Sequence, residues 1–231
     1  MRKKIEIVAI VFACAIIGIS VSSCNVGQAG SADDQSTTTG GENTTVQENW
    51  TKESVKNHIN DWKETPKEAA NKMIDKYGVP DEVTSKRLVW DNKGDFAQTM
   101  ITNVEINHDF PMPHKDCLLQ TVNYDVPVEK YTDIANYDGS VILERTKGTM
   151  SARCDAEPAN YLALNLAYDV AQGNKSVEEA RKFYGETIVS LKKGEKPEYT
   201  QKLMFNPKKN TGDSDKTIID KNIMEELMGK K

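Results

Sequence analysis

The residues best suited to chemistry lie together in one short segment, residues 107–116. It contains two of the chain's three histidines, His108 and His114, with the carboxylates Asp109 and Asp116 beside them. Imidazole nitrogens and carboxylate oxygens are ligands for Zn²⁺ and related divalent ions. The spacing of the two histidines matches no recognised ligand pattern, however. The favoured interpretation is a rigid, hydrogen-bonded loop between two strands, without a metal; a divalent-metal site is the alternative.

A second candidate site combines arginines with carboxylates on a predicted β-hairpin. Glu144 and Arg145 lie in its first strand, and Arg153 and Asp155 lie at the end of its second strand. Arginine binds carboxylates through two parallel hydrogen bonds, so Arg145 and Arg153 are candidates to hold a small anion. Ion pairing across the strands on a solvated face is the more common use of such residues, and it is favoured here.

Two cysteines of the mature chain, Cys117 and Cys154, are candidates for a disulfide. Pairing suits an oxidising compartment, while two separate buried thiols are the alternative. The sequence contains no HExxH or CxxC metal motif, no Gly-x-Ser-x-Gly nucleophile elbow and no glycine-rich phosphate loop. We therefore predict no catalytic residue and no cofactor, and we favour a binding module for an unknown protein or small molecule. A metal-assisted hydrolase using His108 and His114 is the alternative, and a structural envelope protein is the second.

The first 23 residues have the layout of a bacterial export signal. A basic start at residues 2–4 precedes an apolar run over residues 5–21, in which Glu6 is the only charge. The stretch at residues 21–24, Val-Ser-Ser-Cys, resembles the lipobox of bacterial lipoproteins. That resemblance implies cleavage before Cys24 and a lipid on its thiol. A cleaved signal without lipid and a retained membrane helix are the alternatives, since the apolar run is near the roughly 20 residues that span a bilayer.

The segment after the cysteine, residues 24–48, has the composition of a flexible tether. It is rich in Gly, Ser, Thr, Asn and Gln, and such a sequence buries too little apolar surface to fold. The formal net charge of −5 disfavours binding to nucleic acids or to anionic lipid, so the membrane attachment would be covalent. The predicted location is the periplasmic face of the outer membrane or the cell surface.

The rest of the chain predicts one α+β domain over residues 49–205, followed by a loop and a possible short helix over residues 206–231. Helical patterns come first, with a cap predicted at Thr51 and a capping box at residues 65–68. An αα-hairpin comes last, and its helices are capped by Asp155 and Ser176. Between them we expect an antiparallel sheet of four or five strands. The strand-like segments are residues 87–90, 96–106, 117–126, 140–146 and 149–154.

From residue 65 to residue 205 the chain resembles a family of bacterial exported proteins to which no activity is assigned. The resemblance therefore implies export but no reaction, ligand or catalytic residue. Besides the helix at residues 160–169, it is carried by the motifs KYGVP (76–80), LVWDN (88–92), FPMPHKD (110–116), YDGSV (137–141), ERTKG (144–148), SARCD (151–155) and VEEARKFY (177–184).

Overall fold

The computed structural model describes residues 49–208 and 211–229. The predicted signal peptide, Cys24 and the tether that ends at residue 48 lie outside the described residues. Within the described ranges, every helix is too short or too polar to cross a bilayer.

Across these ranges the chain forms six α-helices and six strands, which confirms the α+β class. The N-terminal helices are α1 (Lys52–His58) and α2 (Glu64–Tyr77). The middle of the chain consists of β1 (Glu82–Val83), β2 (Arg87–Lys93), β3 (Phe96–His108), β4 (His114–Asn123), α3 (Tyr131–Tyr137), β5 (Val141–Glu144) and β6 (Thr149–Cys154). The last helices are α4 (Glu157–Gln172), α5 (Val177–Lys192) and α6 (Lys221–Leu227).

The strands form one antiparallel sheet in the order β1-β2-β3-β4-β6-β5. The sheet has one strand more than the sequence predicts, because the two residues of β1 are too few to show an alternating pattern. The β5–β6 hairpin, the αα-hairpin of α4 and α5 and the short C-terminal helix are present as predicted.

Both α2 and α4 pack on the same face of the sheet. The register places Trp90, Thr99, Gln120 and Ala152 in one row on this face. Trp90 packs with the apolar side of α2, and Gln120 contacts the first turn of α4 through its side chain. Helix α4 is buried along nearly its whole length because it lies between the sheet and α5. Residues of α4 therefore supply much of the larger of two hydrophobic clusters.

Two of the predicted helix starts are confirmed and two are wrong. Ser176 caps α5 in a capping box with Glu179, and Thr51 caps α1 as its sequence suggests. The capping box predicted at residues 65–68 does not form, because α2 begins at Glu64, two residues before the predicted start at Pro66, and has no side-chain cap. Asp155 does not cap α4, since the N-cap position falls on the next residue, Ala156.

Candidate metal centre

The two histidines of residues 107–116 lie on strands rather than in a loop. Strand β3 continues to His108, β4 already begins at His114, and the two residues are directly opposite each other. Their ring centroids are 4.9 Å apart. The predicted loop is thus shorter, residues 109–113, and it is the turn of a hairpin. The two histidines are separated in the sequence by the hairpin turn because they pair across two strands. Ligand patterns that describe residues of one helix do not include this spacing.

A β-bulge aims His108 towards the helix-covered face of the sheet. Ile101 pairs with Leu118, but further along the same strands Ile106 pairs with Asp116, so β3 contains extra residues between these points. Side chains along a strand alternate between the two faces of a sheet, and such an insertion can reverse that alternation in the residues beyond it. Asp116, two residues after His114, points to the same face as both histidines. The bulge therefore brings His108 over Asp116.

The three side chains form a compact group of metal-type ligand atoms. His108 Nδ1 lies 3.4 Å from Asp116 Oδ2, and His114 Nε2 lies 3.1 Å from Asp116 Oδ1. One ligand atom from each residue falls within 4.8 Å of the others. With metal–ligand distances of about 2.0–2.2 Å, two ligands of a tetrahedral Zn²⁺ ion would be roughly 3.3–3.5 Å apart. The observed separations to Asp116 are close to this value.

Neighbouring groups orient both imidazoles as they do in metal sites. His114 Nδ1 is 2.9 Å from the carbonyl oxygen of Met112, to which it must donate, and this leaves Nε2 as the free ligand atom. On the other ring, His108 Nε2 faces Asp138 Oδ1 at 3.6 Å. Asp138 is in turn fixed by the backbone N–H and the hydroxyl of Ser140, both at 2.8 Å. A carboxylate behind a ligating histidine is a frequent partner in zinc sites.

Several buried polar atoms of this cluster have no hydrogen-bond partner. Among the described residues five such side-chain atoms occur, and three of them are His108 Nδ1, Asp116 Oδ1 and Asp138 Oδ2. The side chains of Asp116 and Asp138 are only 3% and 1% exposed. Buried polar groups in folded proteins are nearly always paired. Asp116 is thus paired with the two imidazoles through ionic contacts at 3.1 and 3.4 Å rather than through aligned hydrogen bonds, and Asp138 Oδ2 has no hydrogen bond, which together favour a bound cation.

Electrostatics support the same conclusion. Asp116, and then Cys154, raise the pKa of the His114 imidazole to about 11. In the metal-free protein His114 therefore holds a proton at neutral pH, and this proton supplies part of the positive charge that a cation would bring. A group that stabilises an imidazolium so strongly is also suited to a divalent ion.

Cys154 lies at the edge of this cluster, beside a small pocket. Its Sγ is 3.4 Å from His114 Nε2. Burial raises the pKa of the Cys154 thiol, whereas activated nucleophilic cysteines have a lowered pKa. The pocket has a volume of about 70 Å³, and its lining includes Met112, Pro113, His114, Cys154, Tyr184 and Ile188. The arrangement is thus better suited to holding an ion than to attack by a thiolate.

The structure corrects three of the sequence-based site predictions. Asp109 is exposed and lies outside the cluster. Arg145 and Arg153 do not share a site, because they lie at opposite ends of the β5–β6 hairpin. Arg145 instead forms an ion pair with Asp215 of the C-terminal segment, and Arg153 lies opposite Leu119 of β4.

The predicted disulfide is also absent, since Cys117 and Cys154 are both free and buried. Cys117 is buried in the hydrophobic cluster of α1, α2 and the sheet, whereas Cys154 is buried in the other cluster, to which α4 contributes. Burial raises the pKa of the Cys117 thiol to about 12.

Sequence reasoning missed Asp138 and the position of Cys154 beside His114. Asp138 looks like an ordinary turn residue before Gly139, and it lies far along the chain from the histidines. The sheet order, with β6 between β4 and β5, brings these residues to the end of β4 where His114 lies. No local sequence signal carries that information.

A second buried polar cluster joins α2, the sheet and α4. Its centre is Glu157, the first residue of α4, whose carboxylate accepts hydrogen bonds from Lys76, Tyr77 and Gln120. The contact from Gln120 Nε2 measures 2.8 Å. Asn160 continues the network by donating to Gln120 Oε1 at 3.1 Å. Burial, and then Glu157, raise the pKa of the Tyr77 hydroxyl, which therefore remains a donor.

A comparison with known protein families, curated proteins and solved structures gives no match to this chain.

Proposed function

We propose that this chain is a lipid-anchored protein of the bacterial cell envelope whose exported domain binds a divalent transition-metal ion. The ligands would be His108, His114 and Asp116. The observation that carries the proposal is the buried carboxylate of Asp116, whose Oδ2 faces the His108 imidazole and whose Oδ1 faces the His114 imidazole. The donor set of two nitrogens and one carboxylate suits Zn²⁺ and its neighbours better than Mg²⁺ or Ca²⁺, which prefer oxygen ligands.

A zinc titration tests the metal site. Untagged full-length protein in detergent would be titrated with Zn²⁺ by calorimetry, together with His114→Ala and with the matched control His58→Ala. His58 is the third histidine of the chain, and it lies exposed on α1. We expect one ion per chain, binding at least about 100-fold weaker in His114→Ala, and no change in His58→Ala. Equal affinity in all three proteins, or no binding to the wild type, would refute the site.

The proposed anchor rests on the basic start, the apolar run and the Val-Ser-Ser-Cys stretch that ends at Cys24. Labelling of expressing cells with a radioactive fatty acid tests it. We expect the label on the wild-type protein and none on Cys24→Ser, which should also leave the membrane fraction. Cys14→Ser changes a cysteine within the signal and should remain labelled. An unlabelled wild-type protein would leave only an unlipidated signal or a membrane helix.

A metal-assisted hydrolase is a second candidate, favoured by the pocket that opens beside His114. A hydrolytic metal keeps one coordination position for water, which the ion activates as hydroxide. If the protein is such an enzyme, zinc-loaded protein should hydrolyse a chromogenic ester, and His114→Ala should abolish the reaction. Activity that is unchanged in His114→Ala would eliminate this candidate while leaving metal binding untouched.

A further inference from the structure

We propose that the thiolate of Cys154 is the fourth ligand of the metal ion, so that the site is closed with two nitrogens, one oxygen and one sulfur. This inference rests on the proposed metal site of His108, His114 and Asp116, and it identifies both the class of ion and the role of the site.

The sheet register places Cys154 beside His114, next to the group formed by His108, His114 and Asp116. Cys154 lies opposite Leu118, two residues from Asp116, and it faces the same side of the sheet. Its Sγ approaches His114 Nε2 at 3.4 Å, on the nitrogen that the Met112 carbonyl leaves free. In a tetrahedral zinc site a sulfur at about 2.3 Å and a nitrogen at about 2.0 Å from the ion are roughly 3.5 Å apart. The observed separation is close to that value.

The alternative for Cys154 is a buried thiol that only fills space. That description fits Cys117, which is buried in the hydrophobic cluster that α1 and α2 form with the sheet. Cys154 differs because its sulfur contacts an imidazole and also lies 3.5 Å from Asp155 Oδ1. It also lines the pocket beside His114, through which an ion can reach it.

Coordination of the Cys154 thiol to the metal ion exchanges a proton for the ion and involves no redox step. The S–H bond breaks, a metal–sulfur bond forms, and the proton leaves to solvent without any change of oxidation state. A thiolate in the donor set favours Zn²⁺, Co²⁺ and Cd²⁺ over Mg²⁺, Ca²⁺ and Mn²⁺. Four protein ligands also leave no position for an activated water, so a closed site would make the protein a metal binder and would argue against the hydrolase.

Cobalt substitution tests this inference, because thiolate bound to Co²⁺ gives an intense charge-transfer band in the near ultraviolet. Reduced full-length protein in detergent would be titrated with Co²⁺, alongside Cys154→Ser and the matched variant Cys117→Ser. We expect the band in the wild type and in Cys117→Ser. In Cys154→Ser the visible bands of bound Co²⁺ should persist without the ultraviolet band, and the affinity for Zn²⁺ should fall at least about tenfold.

Each other result has a distinct meaning. Visible cobalt bands without a charge-transfer band in the wild type would overturn the fourth ligand but keep the metal site. A charge-transfer band that survives in Cys154→Ser would assign it to another thiol and also overturn the inference. Failure of the wild type to bind Co²⁺ or Zn²⁺ at all would refute the proposed metal site itself. Circular dichroism of both variants would establish that they are folded.

Discussion

The domain buries two clusters of carboxylates under its helices, and they differ in how their charge is balanced. Glu157 receives donors from α2 and from β4, among them the ammonium group of Lys76. The charged or potentially charged neighbours of Asp116 and Asp138 are instead imidazoles: both histidines approach Asp116, and His108 also approaches Asp138. The carboxylates of both clusters are buried, so a difference in their exposure to solvent does not account for the difference.

We interpret the Glu157 cluster as a structural network, and the cluster of Asp116 and Asp138 as part of the proposed metal site. A buried charge is costly unless it is paired and hydrogen-bonded, and the Glu157 cluster meets that condition within the chain. In the cluster of Asp116 and Asp138, the proton on His114 provides only part of the compensation. Changes in the first cluster should therefore affect folding, and changes in the second should affect metal binding.

The largest expected effect is on stability, from Glu157→Ala. The substitution leaves Tyr77 and Gln120 without their acceptor and Lys76 without its partner. We expect the free energy of unfolding in urea to fall by about 3 kcal/mol, with Zn²⁺ affinity changed less than about threefold. The control Glu178→Ala, at an exposed position of α5, should cost less than about 0.5 kcal/mol. Losses of equal size in the two variants would contradict a structural role for Glu157.

The converse change is Asp116→Asn, which keeps the shape of the side chain and removes its charge. We expect Zn²⁺ affinity, measured by competition with a chelator, to fall at least about 100-fold, or roughly 2.7 kcal/mol. The matched control is Asp109→Asn, because Asp109 belongs to the same hairpin but is exposed. If both variants bound zinc like the wild type, Asp116 could not be a ligand.

A smaller effect is expected from Asp138→Asn, because Asp138 would act through His108 rather than on the ion. Loss of its charge weakens the orientation of that imidazole. We expect a decrease in Zn²⁺ affinity of about 10- to 100-fold. Asp133→Asn, in the adjacent helix α3, should change the affinity less than about threefold. An effect of Asp138→Asn as large as that of Asp116→Asn would instead place Asp138 on the metal.

The smallest expected effect is the change in Zn²⁺ affinity for each pH unit. Because the pKa of His114 is raised to about 11 in the metal-free protein, a metal ion must displace its proton throughout the neutral range. Zn²⁺ affinity should therefore rise about tenfold per pH unit between about pH 6 and 8, and about 100-fold per unit if the Cys154 thiol loses its proton as well. Affinity independent of pH would contradict a proton on His114 Nε2.

The sequence allowed the fold class and most elements of the fold to be predicted. Short-range patterns carry that information: the αα-hairpin follows from an apolar helical stripe and from the cap at Ser176, and the strands from alternation. The errors at the starts of α2 and α4 were shifts of two residues and one residue, which capping signals do not resolve.

The candidate site was predicted only in part, for a physical reason. His108, His114 and Asp116 were recognisable from their residue types, yet their convergence depends on a bulge in β3 that residue types do not reveal. Asp138 and Cys154 arrive from distant parts of the chain through the strand order. The predicted pair of Arg145 and Arg153 failed because Arg145 lies at the turn of the hairpin and Arg153 lies near its open end.

The most direct test of the metal site is anomalous diffraction at the zinc edge from crystals of zinc-loaded protein. We predict one strong anomalous peak per chain, between the side chains of His108, His114 and Asp116. The absence of a peak there, or a peak only at surface residues such as His58, would contradict the assignment.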